Sequence, residues 1–386
     1  MKIKLKQAFN LQMGKTPARN RPDYWNGENK WISIADIGNT GKFLVKTKES
    51  ITEAGIEGSG IKVVPQGTVI MSFKLSIGKT AITSEDMYTN EAIMAFIDNG
   101  KFAVDTDYLY HLCCGTNWTA GTNKAVMGLI LNKATLLEKE IPLPDINEQH
   151  EIATKLDKID AIIAERQQQL ELIDQLVKSR FIELFGDYNL THPQDSWVSI
   201  KEIGTVVGGA TPKTDHDEYW GGSYRWITPA ELDADSGYIY DSVRKLTKAG
   251  VESCSLQEIP VGTVILSSRA PIGKVAIAGN TFYCNQGFKN IICKEGITPR
   301  YLYTVLLLNV EHLNSLGRGA TFKEISKGIV ENIRIPVPPI ELQQQFTAFV
   351  EQTDKSKYYS SLSFRYCQAA ENAYRQEWIT CRTSDF

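Results

Sequence analysis

Gly14-Lys15-Thr16-Pro17, Tyr24-Trp25-Asn26-Gly27 and Trp31-Ile32 are answered 195 positions later by Gly209-Ala210-Thr211-Pro212, Tyr219-Trp220-Gly221-Gly222 and Trp226-Ile227. The echo continues with Ala54-Gly55 and Ala249-Gly250, then Pro65-Gln66-Gly67-Thr68-Val69-Ile70 and Pro260-Val261-Gly262-Thr263-Val264-Ile265. Ile77-Gly78-Lys79 meets Ile272-Gly273-Lys274, and Asn90 meets Asn285. Laid side by side without a gap, 14–92 and 209–287 share 26 of 79 positions, several-fold more than composition alone would give. This is an internal duplication, and it organises everything else. At an offset of 194, Ile141-Pro142-Leu143-Pro144 with Gln149 matches Ile335-Pro336-Val337-Pro338 with Gln343. Each half therefore reads as a globular domain, a proline hinge that keeps its neighbours extended, and a helix.

Working outward, Val63–Ser72 and Val261–Ser267 are β-branched runs opened by a Pro-x-Gly turn and read as strands. Ala81-Ile82 and Ala276-Ile277 resume after a glycine turn, as in a hairpin or bulge. Tyr108–Leu112 and Tyr301–Leu308 read as short buried helices, so the expectation is an α+β domain used twice. Residues 147–185 carry Ile152, Leu156, Ile159, Ile163, Leu170, Ile173, Val177 and Leu184 at alternating steps of four and three, with Arg166 in the seam. That is a heptad stripe without Gly or Pro, on a helix of about 39 residues and almost 60 Å. Such a stripe calls for a partner helix; a long core helix of one domain is the alternative. In the second copy Phe346 and Val350 replace Ile152 and Leu156, but Thr353, Lys357 and Glu371 then stand on the stripe. Residues 357–386 turn rich in Ser, Tyr and Arg with Cys367 and Cys381, so we expect that helix to be altered or replaced there, as by a change of reading frame. The expected segments are a first domain at 1–145, a central long helix at 146–188, a second domain at 189–338 and a C-terminal helix at 339–386, atypical after about 357.

The 386 residues are 42% hydrophobic with a formal charge of −3, an ordinary globular composition with no overall positive field. The charge is unevenly placed: residues 1–50 carry 10 basic and 4 acidic side chains, whereas 141–190 carry 5 and 10. Seven cysteines include no C-x-x-C pair, which points away from zinc frameworks and toward free thiols. The polar start Met1-Lys2-Ile3-Lys4 and the lack of a long apolar run predict a cytoplasmic protein without a membrane segment.

Three constellations invite chemistry that the pattern does not support. Gly78-Lys79-Thr80 resembles the end of a phosphate-binding loop, but the glycine that should open it is Phe73, and the second copy has Val275 after Lys274. Asp23, Glu28 and Lys30 imitate a nuclease metal site, yet too few residues lie between them for two strands, and the second copy has Ser223 at the place of Glu28. His111-Leu112-Cys113-Cys114 is better explained as part of a buried helix than as metal ligands. No catalytic constellation and no metal site is expected.

What recurs is a set of turns bearing hydroxyls and cations. Lys15, Thr16, Arg19 and Arg21 follow the first Gly-x-Thr-Pro, and Thr211 and Lys213 belong to the second. Lys74 and Lys79 correspond to Arg269 and Lys274 around the Ile-Gly-Lys turn. Gly121-Thr122-Asn123-Lys124 roughly matches Arg318-Gly319-Ala320-Thr321-Phe322-Lys323. Loops of this composition approach a phosphate backbone closely, and Arg269 is suited to a guanine edge. The tryptophans read as packing under these loops. Candidate DNA contacts are thus Lys15, Thr16, Arg19, Arg21, Lys74, Lys79, Lys124, Thr211, Lys213, Arg269, Lys274, Arg318, Thr321 and Lys323.

The paired Gly-x-Thr-Pro, Tyr-Trp-x-Gly and Trp-Ile motifs, Pro-x-Gly-Thr-Val-Ile with Ile-Gly-Lys, Asn285-Gln286-Gly287-Phe288 and the Ile-Pro-x-Pro helix start together resemble the specificity subunits of type I restriction–modification systems. The resemblance covers about residues 1–355, with Asn90-Glu91-Ala92-Ile93 as a departure in the first copy. It implies two target-recognition domains, each reading one half of an asymmetric bipartite site in double-stranded DNA, separated by long antiparallel coiled-coil helices with pseudo-two-fold symmetry. It also implies that the helix carrying Ile152, Leu156, Ile159, Ile163, Leu170, Ile173 and Val177 docks two methyltransferase subunits. S-adenosylmethionine, ATP and magnesium would belong to those and to the restriction subunits, leaving this chain without a cofactor or catalytic role. The alternative is a silent allelic scaffold of the same fold that binds methyltransferase subunits without reading DNA.

Overall fold

The structure is a computed structural model that describes all residues except 39–40, 75, 120–130, 233–236, 255, 320–322 and 379–386. Its chain divides into two compact units, one formed by Met1–Gln167 with the segment from Leu362 onward, the other by Gln168–Ser361.

In the first unit a five-stranded sheet runs in the order Phe9–Met13, Ile93–Asp98, Val69–Ser72, Thr80–Thr83, Phe43–Leu44. The strand expected at 63–72 starts only at Val69, because Pro65 to Gly67 form the turn that precedes it, with Gly67 at φ 73°. Val69 and Met71 face one core with Phe96, Leu109, Leu112 and Ile152, while Ile70, Ala81 and Ala95 face another with Ile32 and Leu44. A sheet buried on both sides explains why its strands read as continuous apolar runs. Beside it, Glu49–Ile51, Trp25–Ile32 and Tyr88–Thr89 form a three-stranded sheet. Lys2–Lys4 pairs antiparallel with Glu140–Pro142.

The second unit repeats this arrangement strand for strand. Its five-stranded sheet is Gly204–Gly208, Lys289–Cys293, Val264–Leu266, Val275–Ala278, Tyr238–Ile239, and its three-stranded sheet is Arg244–Leu246, Trp220–Ile227, Tyr283–Cys284. The short buried helices are Thr106–Gly115 and Pro299–Leu308.

Two long helices complete the chain, α1 (Ile146–Phe185) and α2 (Ile340–Gln376). The start of each is tied to its domain by one buried glutamine. Gln149 Nε2 donates to the Ala103 and Pro144 carbonyls and its Oε1 accepts from the Asp105 amide. Gln343 repeats this with the Gly296 and Pro338 carbonyls and the Thr298 amide. Tyr108 and Tyr301 add hydroxyl bonds to the Pro142 and Pro336 carbonyls. The recurring Ile-Pro-x-Pro…Gln motif is therefore a helix-start device.

Past residue 357, where the stripe turns atypical, α2 runs on as one continuous helix to Gln376. No Gly or Pro interrupts it, and its polar stripe residues find charged partners instead of apolar ones. Within the second unit Lys357 donates to Asp174 at 2.7 Å, while nearer its start Phe346 packs edge-on against Phe181 at 5.4 Å. These pairings run in opposite chain directions, so α1 and α2 are antiparallel in this unit. In the first unit Arg375 reaches Asp160, Glu371 and the His111 carbonyl. Ile152 and Leu156 are buried, and Ile159, Ile163, Leu170, Ile173 and Val177 are half-buried along α1. Among the described residues no helix is long and apolar enough to cross a membrane.

Candidate nucleic-acid interface

Three turns converge at one end of each domain, and the repeated residues are what hold them together. The indole of Trp31 donates to the Lys15 carbonyl at 3.0 Å and that of Trp25 to the Ala18 carbonyl at 3.2 Å. Trp226 and Trp220 do the same to Ala210 and Lys213, at 3.1 and 3.2 Å. The two tryptophans of each domain meet edge to face with centroids 5.1 Å apart. Between them the strand bulges, so that Trp25 and Asn29 both oppose Ile51, and Trp220 and Tyr224 both oppose Leu246. The tryptophans thus staple the Gly-x-Thr-Pro turn onto the three-stranded sheet.

The glycines of the motif are dictated by close approach. A Cβ on Gly14 would lie 2.0 Å from the Thr89 carbonyl oxygen, and on Gly209 2.1 Å from that of Cys284. On Gly27 and Gly222 it would meet the Ile51 and Leu246 carbonyls at 2.4 and 2.3 Å. No side chain larger than hydrogen fits there.

The second turn is Asn90-Glu91-Ala92 or Asn285-Gln286-Gly287. The asparagine side chain accepts from the amide two residues on, at 3.0 Å in the first domain and 2.9 Å in the second. Thr16 donates its hydroxyl to Glu91, and Thr211 to Gln286. The departure from Gln to Glu in the first copy therefore preserves the turn and its bridge. The Thr16 hydroxyl, then a backbone hydrogen bond and the Lys74 and Arg19 charges, hold the Glu91 carboxyl below its ordinary range despite partial burial.

The third turn is the Ile-Gly-Lys hairpin. Buried Ser72 accepts from the Lys79 amide and donates to the Ser76 carbonyl; Ser267 accepts from the Lys274 amide and donates to the Pro271 carbonyl. Backbone bonds from Phe73 to Ala92 and from Ser268 to Gly287 set this hairpin against the second turn. Lys74 and Arg269 follow directly, and the Lys74 charge is felt by Glu91. Ser72 and Ser267 escaped the sequence reading, although their identity at the common offset was the available signal.

The expected contacts divide accordingly. Thr16 bonds Glu91, whose carboxyl also feels the charges of Lys74 and Arg19. Lys15 Nζ lies 3.2 Å from the Ser59 carbonyl, and Arg21 is turned to Asp23 through two hydrogen bonds of 2.9 and 2.7 Å. Lys79 is exposed on its turn. In the second domain Arg269 Nε donates to Glu324 at 2.9 Å, and Lys289 donates to the other oxygen of that carboxylate at 3.2 Å. Arg318 bridges to Glu324 through two backbone bonds of 3.0 Å, so Arg269, Lys289 and Arg318 share one acidic organiser that the sequence did not single out. Lys213 and Lys323 are exposed. Lys274 points inward, donating to the Pro229 and Leu232 carbonyls at 3.2 and 3.1 Å. Lys124 and Thr321 lie outside the described residues.

The residues of the three constellations have partners of their own. Asp23 is held by Arg21, and Lys30 donates to Glu85 and to the Val45 carbonyl. Thr80 is buried and donates to the Gly78 carbonyl. His111, buried on its helix, donates from Nε2 to Asp157 at 2.7 Å.

A family model described as the type I restriction modification DNA specificity domain matches residues 1–173 and again 195–358. The MjaIX specificity subunit of Methanocaldococcus jannaschii is 41% identical over 185 residues, 46% of this chain and 43% of that protein. The EcoR124I/EcoR124II specificity subunit of Escherichia coli is 27% identical over 233 residues, 55% of each chain. The Escherichia coli EcoprrI subunit is 22% identical over 91% of this chain and 87% of its own. The chain thus spans about half the length of the first two relatives. Among solved structures, a chain from a study of complex assembly and conformational transition in the type I R-M system superposes with a TM-score of 0.64 at 19% identity, covering 98% of this chain and 97% of that one. The S subunit from M. genitalium gives 0.57 at 14% identity over 98% and 96%. At these identities the structures speak for the fold.

Proposed function

Because the chain belongs to the type I restriction modification DNA specificity family, matched once in each half, we propose that it is the sequence-reading subunit of a type I restriction–modification complex. Each domain presents its three-turn end to one half of an asymmetric, bipartite site in double-stranded DNA. The observation that carries this is the duplication of a polar turn surface whose scaffold is repeated bond for bond while its outward side chains differ. Beside the shared Thr16 and Thr211, Glu91 and Lys74 face one half-site where Gln286 and Arg269 face the other. Different side chains on an identical frame are what an asymmetric site requires.

On this reading α1 and α2 dock two methyltransferase subunits, restriction subunits join the full complex, and the chain itself is a non-catalytic, cytoplasmic recognition component. Arg269, oriented through Nε by Glu324, keeps its two terminal nitrogens for a guanine edge; Lys79 supplies backbone charge. Lys274 serves the loop that contains Pro229 instead of DNA. Selection of duplexes from a random pool by the purified full chain tests the proposal. The expected product is two short motifs separated by a fixed unselected spacer. Arg269→Ala should then relax one motif and leave the other intact, whereas a pool without any enriched motif contradicts the reading.

A further inference from the structure

Both domains place a guanidinium over the outer tryptophan of the stapled pair, but they take it from different parts of the chain. In the first domain it is Arg19, 3.9 Å from the Trp25 ring centroid and 5.0 Å from that of Trp31. In the second it is Arg244, 3.5 Å from Trp220 and 5.4 Å from Trp226. By the repeat offset the counterpart of Arg19 is Thr214, and the counterpart of Arg244 is Glu49. The position of the cation has been kept while its source has moved from a loop to a strand.

The two cations differ in what remains of their hydrogen-bonding capacity. Glu49 takes both terminal nitrogens of Arg19. Arg244 has no carboxylate partner of its own among the described residues, since nearby Asp241 is engaged by Arg225 and Lys245. Its side chain is exposed, and the ring beneath it donates to the Lys213 carbonyl, so Arg244 and exposed Lys213 are both anchored to Trp220 at the Gly-x-Thr-Pro turn. A guanidinium stacked on an indole is held in plane with its N–H groups directed outward, already ordered for a pair of acceptors.

We propose that Arg244 is a DNA-contacting residue of the second domain, pre-oriented by Trp220 to bind paired oxygen or nitrogen acceptors, and that Arg19 is its neutralised counterpart. The inference rests on the DNA-reading role proposed above. It predicts an asymmetry between half-sites that the duplication alone would not produce.

The test uses the full chain, the duplex selected by the wild type, and Arg244→Ala, Arg244→Lys and Arg19→Ala, each first checked for an unchanged melting temperature. Arg244→Ala should weaken binding about tenfold or more, through the second half-site only, and Arg19→Ala, whose guanidinium Glu49 already holds, should lose several-fold less. If Arg244 grips a guanine edge, repeated selection with Arg244→Ala loses a base preference in one motif, and lysine does not restore it. If it grips phosphates, both motifs persist, the dependence of log affinity on log salt falls by about one unit, and lysine restores it. Unchanged affinity in folded Arg244→Ala, or an equal loss in Arg19→Ala, overturns the inference while leaving the parent reading in place. Should the wild type select no duplex, the parent reading falls and this inference with it.

Discussion

Replacing Gln149 with alanine probes how the long helix is joined to the first domain. The side chain is 1% exposed and makes three hydrogen bonds, at 3.1 and 2.9 Å as donor and 2.9 Å as acceptor. Each such bond contributes about 1 kcal/mol net, and the buried groups left behind lose their partners outright. The substitution should therefore cost about 3 kcal/mol, or about a hundredfold in local opening. Hydrogen–deuterium exchange read by mass spectrometry measures this at the Asp105 amide and along helix Thr106–Gly115. Gln343→Ala is the internal control: its bonds are the same in kind, and its exchange signature should fall at Thr298 and along Pro299–Leu308. Acceleration below about threefold, or the same acceleration in both units for either variant, would refute the reasoning.

Other expectations follow from the charged groups. Burial pushes the His111 imidazole down to about 4, outweighing the Asp157 carboxylate that pulls it up. The unfolded chain then binds this proton more readily, so stability present above about pH 6.5 is lost as the pH falls toward 4, by up to about 3 kcal/mol; in urea titrations His111→Gln should flatten that slope. Arg375→Ala strands half-buried Asp160 and the His111 carbonyl and should cost about 2 kcal/mol, with faster exchange over 362–378, while Arg375→Met should lose less. Lys79→Ala should lower the salt dependence of DNA binding by about one unit; Lys274→Ala should leave that slope unchanged and instead lower the melting temperature, because its ammonium is committed to the Pro229 and Leu232 carbonyls.

Much of the architecture could be read from the repeated residues, because the repeated residues are the ones with no alternative. Gly14, Gly27 and their counterparts leave no room for a Cβ before a carbonyl, while Trp31, Gln149 and theirs each donate to one. What the sequence concealed depends on partners far away in the chain. Lys274 looks like Lys79 until the loop at Pro229 folds over it. Arg19 looks like a free cation until Glu49 arrives from a neighbouring strand, and Arg244 gives no signal at all until Trp220 lies beneath it. The end of α2 looked atypical because a heptad reading weighs apolar side chains; there Lys357 and Arg375 find Asp174 and Asp160 instead. Glu324 gathers Arg269 from the hairpin and Lys289 from a strand, a convergence for which spacing carries no signal.

The central claim is that one chain reads two different half-sites with two copies of one domain. Co-expression with its cognate methyltransferase subunit in a methylation-free host, followed by genome-wide mapping of methyladenine, tests it most directly. The expected result is an asymmetric motif in two parts with a fixed spacer, one part of which relaxes in Arg269→Ala. A single undivided motif, or no methylation from a folded and assembled complex, would contradict it.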